Sequence, residues 1–154
     1  MNNNKGFSLV ELIIVIAIMA ILVGVMAPQL IKYIEKTNVS SDTQLCDTVK
    51  TAVTTAVMDP EILNDSASVS TISGWNTPQA LSGISGTTPK VNSSILEALG
   101  VSAGTDANSQ LKSSGAASHG VSFQVVSSNS VHVWITGTDA TGKKTNSGTY
   151  IYVD

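Results

Sequence analysis

The sequence contains no arginine; its eight basic residues are all lysine, set against eleven carboxylates for a formal net charge of −3. Arginine is the side chain suited to bidentate recognition of phosphates and base edges, so its absence argues against direct nucleic-acid binding. The one adjacent basic pair, Lys143-Lys144, lies in a polar stretch and reads as a solvated loop tip. Cys46 is the sole cysteine, which excludes an intramolecular disulfide; it reads as a small apolar residue on a helix face. The two histidines, His119 and His132, have no metal-ligand spacing around them. Asp139 and Asp154 flank the last hairpin, but these few carboxylates fall short of the six to eight oxygens that calcium takes. Neither a phosphate-binding loop nor a nucleophile elbow is present among the many serines and glycines. No catalytic residue, metal or cofactor is therefore assigned, and the chain reads as something other than an enzyme.

Charge is also missing from one long stretch, and that stretch organises the rest. From Leu12 through Ile31, about 20 residues, no side chain is ionisable, which is the length a helix needs to cross a bilayer. Lys5-Gly6-Phe7-Ser8-Leu9-Val10-Glu11-Leu12 leads into it. Glu11 is thus a lone carboxylate at the edge of an apolar run, where burial in lipid costs up to about 3 kcal/mol at the helix centre. A secretory signal peptide would explain a short polar start and an apolar core. The best small-residue cleavage site, Val25-Met26-Ala27, is however followed by Pro28, the core is long, and Glu11 has no place in it. An uncleaved one-pass anchor is the other plain reading, and under each of them the segment meets a membrane.

Gly6-Phe7-Ser8-Leu9-Val10-Glu11-Leu12, followed by an apolar helix with Pro28 inside it, resembles the class III leader and N-terminal helix of type IV pilins and pseudopilins. The resemblance covers roughly residues 5 to 35. It implies a leader (1–6) cut by prepilin peptidase between Gly6 and Phe7, with N-methylation of Phe7. It also implies that Glu11 pairs with the N-terminal amine of a neighbouring subunit during assembly. Its partners would then be other pilin subunits, the peptidase, the membrane before assembly and the pilus assembly machinery. Many proteobacterial pilins close a C-terminal loop with a cysteine pair; this chain departs from them and leans towards a Gram-positive or otherwise disulfide-free pilin.

Positive-inside logic puts the N-terminus, with Lys5, in the cytoplasm and everything after Lys32 outside, first in the membrane and then on the cell surface. A helix is expected over 7–58, with 7–31 as its membrane or filament-core half and Gly24 and Pro28 as the points where it kinks. Beyond Lys32 the apolar residues Val39, Leu45, Val49, Ala52, Val53 and Ala56 fall near helical spacing, with Lys36, Asp42, Asp47 and Lys50 on the remaining surface. Asp59-Pro60 ends the helix.

Residues 59–154 are expected to form a globular head. Val69–Ile72 is expected as a short strand, a two-turn helix starts at Asn92 or Ser93 and stops at Gly100, and Ser102–Gly120 reads as a flexible loop. Trp75 reads as a packing anchor. Val121–Val125, Val131–Thr136 and Tyr150–Val153 form an antiparallel meander with Val131, Val133 and Ile135 inside and His132 and Trp134 on the outer face. The fold class is α+β: a long N-terminal helix whose apolar half protrudes and whose amphipathic half packs on a C-terminal sheet. The function this implies is a filament subunit, a major pilin for adhesion, motility or surface colonisation. The alternative is a pseudopilin of a secretion-like or DNA-uptake machine.

Overall fold

The computed structural model describes residues 7–113, 116, 119–135 and 151–153. Gly6 and the Lys143-Lys144 hairpin tip lie outside the described residues, as do Tyr150, Asp139 and Asp154. The chain divides into two compact units, residues 1–36 and 37–154.

Helix α1 (Leu9–Met58) continues through Gly24 and Pro28 without a break in its helical assignment. In the first unit its large apolar side chains, from Leu9 to Ile34, are exposed. Within the second unit one stripe of α1 is buried: Asp42, Cys46, Val49, Ala52, Val53, Ala56 and Val57. This stripe joins one hydrophobic core with the sheet residues Val121, Phe123, Val125, Val131, Val133 and Ile135. The architecture is α+β, a long helix packed on a C-terminal antiparallel sheet.

The end of α1 falls where Asp59-Pro60 was expected to put it. Asp59 then caps the next helix, α2 (Pro60–Leu63), by accepting the Glu61 N–H at 2.8 Å, with Pro60 at the first helical position. The expected strand at Val69–Ile72 is instead part of a helix, α3 (Ser66–Gly74). The reason is the cap: the Asp65 carboxylate accepts the Ser68 N–H at 3.1 Å and the Ser68 hydroxyl as well. The Ser68 hydrogen bond holds Asp65 below the usual carboxylate range. Buried Ser68 also accepts the Val91 N–H at 3.1 Å, tying α3 to the start of α4 (Lys90–Leu99). That helix begins at Lys90, earlier than the Asn92 or Ser93 cap suggested, because Pro89 precedes it and supplies the fixed backbone angle. Its stop is the expected one. Gly100 adopts φ 66°, its N–H reaches Glu97 O, and the Val101 N–H reaches Leu96 O, a Schellman closure that glycine adopts without a Cβ penalty.

Residues 102–120 are not a plain loop. They contain α5 (Gly104–Asn108), and Gly104, Ala107, Leu111 and Ser113 are buried. Gly104 permits this packing, since a Cβ there would stand 1.8 Å from the Leu81 carbonyl oxygen. The sheet has the order β1-β2-β3-β4, all antiparallel, with β1 (Gln79–Ala80), β2 (Val121–Ser127), β3 (Ser130–Ile135) and β4 (Tyr152–Val153). The last three follow the expected meander, and β1 is a fourth strand too short to show alternation. Phe123 pairs with Val133, and Trp134 with Ser122 and Tyr152. Trp134 does point away from the core cluster, but it is only 3% exposed, so this outer face is covered at that point.

The largest departure from expectation is Asp42. It was assigned to the solvated surface, yet it is 1% exposed. Its two carboxylate oxygens accept the backbone N–H groups of Lys112 and Ser113, each at 2.9 Å. A buried carboxylate is tolerable when both oxygens are met this way. Cys46, one turn further along α1, is fully buried; desolvation first, then the charges of Asp42 and Asp47, push its thiol up to about 12.

Two outcomes follow from this core. Asp42→Ala leaves the partly buried Lys112 N–H and the buried Ser113 N–H unmet and should cost about 2 kcal/mol, while Asp42→Asn, which keeps one acceptor oxygen, should cost less. Thermal unfolding of the detergent-solubilised chain reads both; an unchanged melting temperature for Asp42→Ala would refute the clamp. The Cys46 thiol should resist maleimide at pH 8 in the folded chain and react once it is unfolded. Because the folded thiol keeps its proton to about 12 while an ordinary thiol loses it near 9, the unfolded chain binds fewer protons between those values. Stability from this group is therefore intact below pH 9 and declines as pH rises through that window.

Candidate assembly site

Helix α1 opens at Ser8, whose carbonyl accepts the Leu12 N–H at 3.2 Å. The Ser8 backbone N–H would have no partner in the helix ladder. Glu11, three residues on, supplies one: its Oε2 accepts that N–H at 2.9 Å. This is the carboxylate half of a capping box, and the positive end of the helix dipole favours it there. The Glu11 side chain is consequently turned back over the start of the helix, and Phe7, just before it, is 91% exposed.

From Leu12 to Pro28 the helix offers apolar surface for about five turns. It is long and apolar enough to cross a membrane, and its most apolar window has no residue buried. The stretch ends in a polar collar, where Gln29, Lys32, Tyr33 and Lys36 line a depression of about 240 Å³. Gly24 and Pro28 lie inside the apolar stretch; a Cβ at Gly24 would meet nothing within 4 Å.

Residues 1–27 match the family model of the prokaryotic N-terminal methylation motif. A fimbrial protein of Moraxella nonliquefaciens is 46% identical over 55 residues, which is 36% of this chain and 36% of that protein. The segment carries the N-terminal methylation motif of prokaryotic proteins. The chain thus aligns with about a third of the length of this curated relative, and no solved structure matches it. The similarity to the Moraxella fimbrial protein covers a minority of the chain.

The remaining candidates fall into structural roles. Trp75 is buried, and its ring stands edge-on to Phe123 at 5.1 Å between centroids; its carbonyl accepts the Val125 N–H at 2.9 Å. It is the anchor its neighbours suggested, locking the end of α3 to β2. His132 on β3 meets the Tyr152 hydroxyl at 3.0 Å through Nδ1 and faces Ser130 Oγ at 3.4 Å through Nε2. It joins β3 to β4. His119 lies elsewhere, just before β2, with its N–H bonded to the Ala116 carbonyl at 2.9 Å.

Sequence reasoning missed two features: the Glu11–Ser8 contact and the Asp42 clamp. Both left a signal. Ser8-x-x-Glu11 has the spacing of a capping box. Val39, Asp42, Cys46, Val49, Val53 and Ala56 step by three and four residues, which puts Asp42 squarely on the buried stripe.

Proposed function

We propose that this chain is a structural subunit, a major pilin, of a type IV pilus. It assembles through its N-terminal helix into an extracellular filament that serves adhesion, motility or surface colonisation. The observation that carries this reading is an exposed apolar half-helix with one carboxylate, Glu11, at its start, within a methylation motif.

The steps follow from the residues. The prepilin enters the cytoplasmic membrane with its N-terminus inside. Prepilin peptidase removes residues 1–6 by hydrolysing the Gly6–Phe7 amide and methylates the freed Phe7 amine. The membrane-bound assembly machinery then transfers the subunit into the filament. There the Glu11 carboxylate pairs with the Phe7 amine of a neighbour. Two opposite charges 4 Å apart attract by about 1 kcal/mol in water and several-fold more at lower effective dielectric, so the pairing gains strength as the helices leave water and headgroups behind. In the free chain Glu11 has the Ser8 N–H as partner. Assembly would add the neighbour's amine to this carboxylate. Gly24 and Pro28 mark the stretch where the helix can bend as it packs.

Mass spectrometry of the N-terminal peptide from a sheared cell-surface fraction tests the reading. A peptide beginning at N-methylated Phe7 is expected. One that retains Met1, or one that starts after Ala27, would defeat it. Glu11→Ala should be processed normally yet lower filament yield about tenfold, the equivalent of roughly 1.4 kcal/mol of lost pairing per added subunit. Unchanged yield, with that variant as the sole subunit, would remove Glu11 from the assembly step.

A further inference from the structure

Beyond residue 36 the large apolar side chains are mostly buried, with one concentrated exception. The exposed large apolar residues described there are Met58, Leu63, Val69 and Val126. Three of these, with Ile72 and Val125 between them, line a single groove of about 510 Å³ where α1 ends, α2 begins and β2 turns into β3. Val69 stands one helical turn before Ile72 on α3. Met58, Leu63 and Val126 are each about half exposed, at 49%, 51% and 57%. Apolar groups gathered in one place and left in water mark a contact surface.

The charge around this groove limits what can cover it. Asp59 and Glu61 stand between Met58 and Leu63, Asp65 follows, and Glu97 lines the adjoining depression with them. Lys90 offsets part of this through its ion pair with Glu61 at 3.3 Å. Two such acidic rims repel each other, which disfavours a pole-to-pole dimer, and an anionic membrane surface is disfavoured for the same reason. The complement is found on the same chain. Leu30, Ile31, Tyr33 and Ile34 are all more than half exposed, and the exposed Lys32 and Lys36 outweigh the one carboxylate of the segment, the half-buried Glu35. The more N-terminal part of α1, Leu12 to Ile31, is as apolar but carries no cation to answer the acids.

We infer that the Met58–Leu63–Val126 groove receives the Leu30–Lys36 segment of a second copy of this chain, with Lys32 and Lys36 against the acidic rim. The contact uses two different surfaces, so it is heterologous, and repetition of it does not close on a dimer but extends a filament. It deepens the proposed function, on which it rests, by naming the second interface that joins one subunit's head to another's helix.

The experiment uses two full-length chains co-expressed in cells that make the filament. One bears an epitope tag and Ile34→Cys, the other Leu63→Cys; native Cys46 is buried and contributes no background. Sheared filaments are oxidised and resolved without reductant. A mixed disulfide dimer, absent when either variant is expressed alone, is the expected result. Filaments that form at normal yield but give no mixed dimer, with both Leu63→Cys and the second groove probe Val126→Cys, would overturn the contact and leave the pilin reading standing. A dimer from Leu63→Cys alone would also overturn it, since that requires groove against groove. Absence of the unmodified chain from any surface filament would fail the proposed function and the contact together. As a companion measurement, Val126→Asp should abolish filament yield without altering the melting temperature of the detergent-solubilised chain. Normal yield for that variant would count against the contact.

Discussion

A helix with some twenty uncharged residues in a row has to be covered, and everything else in this chain is consistent with that constraint. Water is the wrong solvent for such a surface, and each buried methylene is worth about 0.8 kcal/mol. The covering can be lipid or other helices of the same kind. A chain that moves from one to the other needs little change in the segment itself, because both surroundings are apolar. What must differ is polar, and the polar groups stand at the two ends: Glu11 with Ser8 at one, and the collar of Gln29, Lys32, Tyr33 and Lys36 at the other. The apolar run supplies adhesion without direction, and the groups at its ends supply register.

The second half of α1 solves a different problem. Its stripe is narrow and is covered within the chain, by the sheet. This much was legible in the sequence, because a three-and-four spacing of apolar residues has a single physical reading. The meander was legible for the same reason, since alternation over Val121–Val125 and Val131–Ile135 fixes which side chains face inward. The stretch between was legible only at α4 and its Gly100 stop. Helices α3 and α5 are short and poor in apolar residues, so periodicity is silent about them; they exist because a carboxylate stands at the start of one and a glycine without a Cβ opens the other. Strand β1, two residues long, exists only through its pairing with β2.

At the N-terminal site, residue identity told more than structure could add. A carboxylate at the edge of an apolar run is improbable enough to ask for an explanation, and the motif provides one. The coordinates contribute orientation, which no sequence pattern carries: Glu11 is held back over the helix start by Ser8. Asp42 was misread because residue type was allowed to outweigh spacing. An aspartate on a stripe of valines is either a surface residue out of phase or a buried acceptor with donors waiting, and here Lys112 and Ser113 are the donors.

That clamp has a wider meaning for how the domain holds together. It joins positions about 70 residues apart in sequence, which is the task a cystine performs in many exported proteins. Closing so long a loop carries an entropic penalty that grows only slowly with length, so two well-aligned hydrogen bonds to one side chain can act as the staple. Unlike a cystine, this staple needs no oxidant to form and no isomerase to correct it. A chain fastened in this way can fold to the same end in a reducing or an oxidising milieu, and this link is indifferent to the redox state of its surroundings.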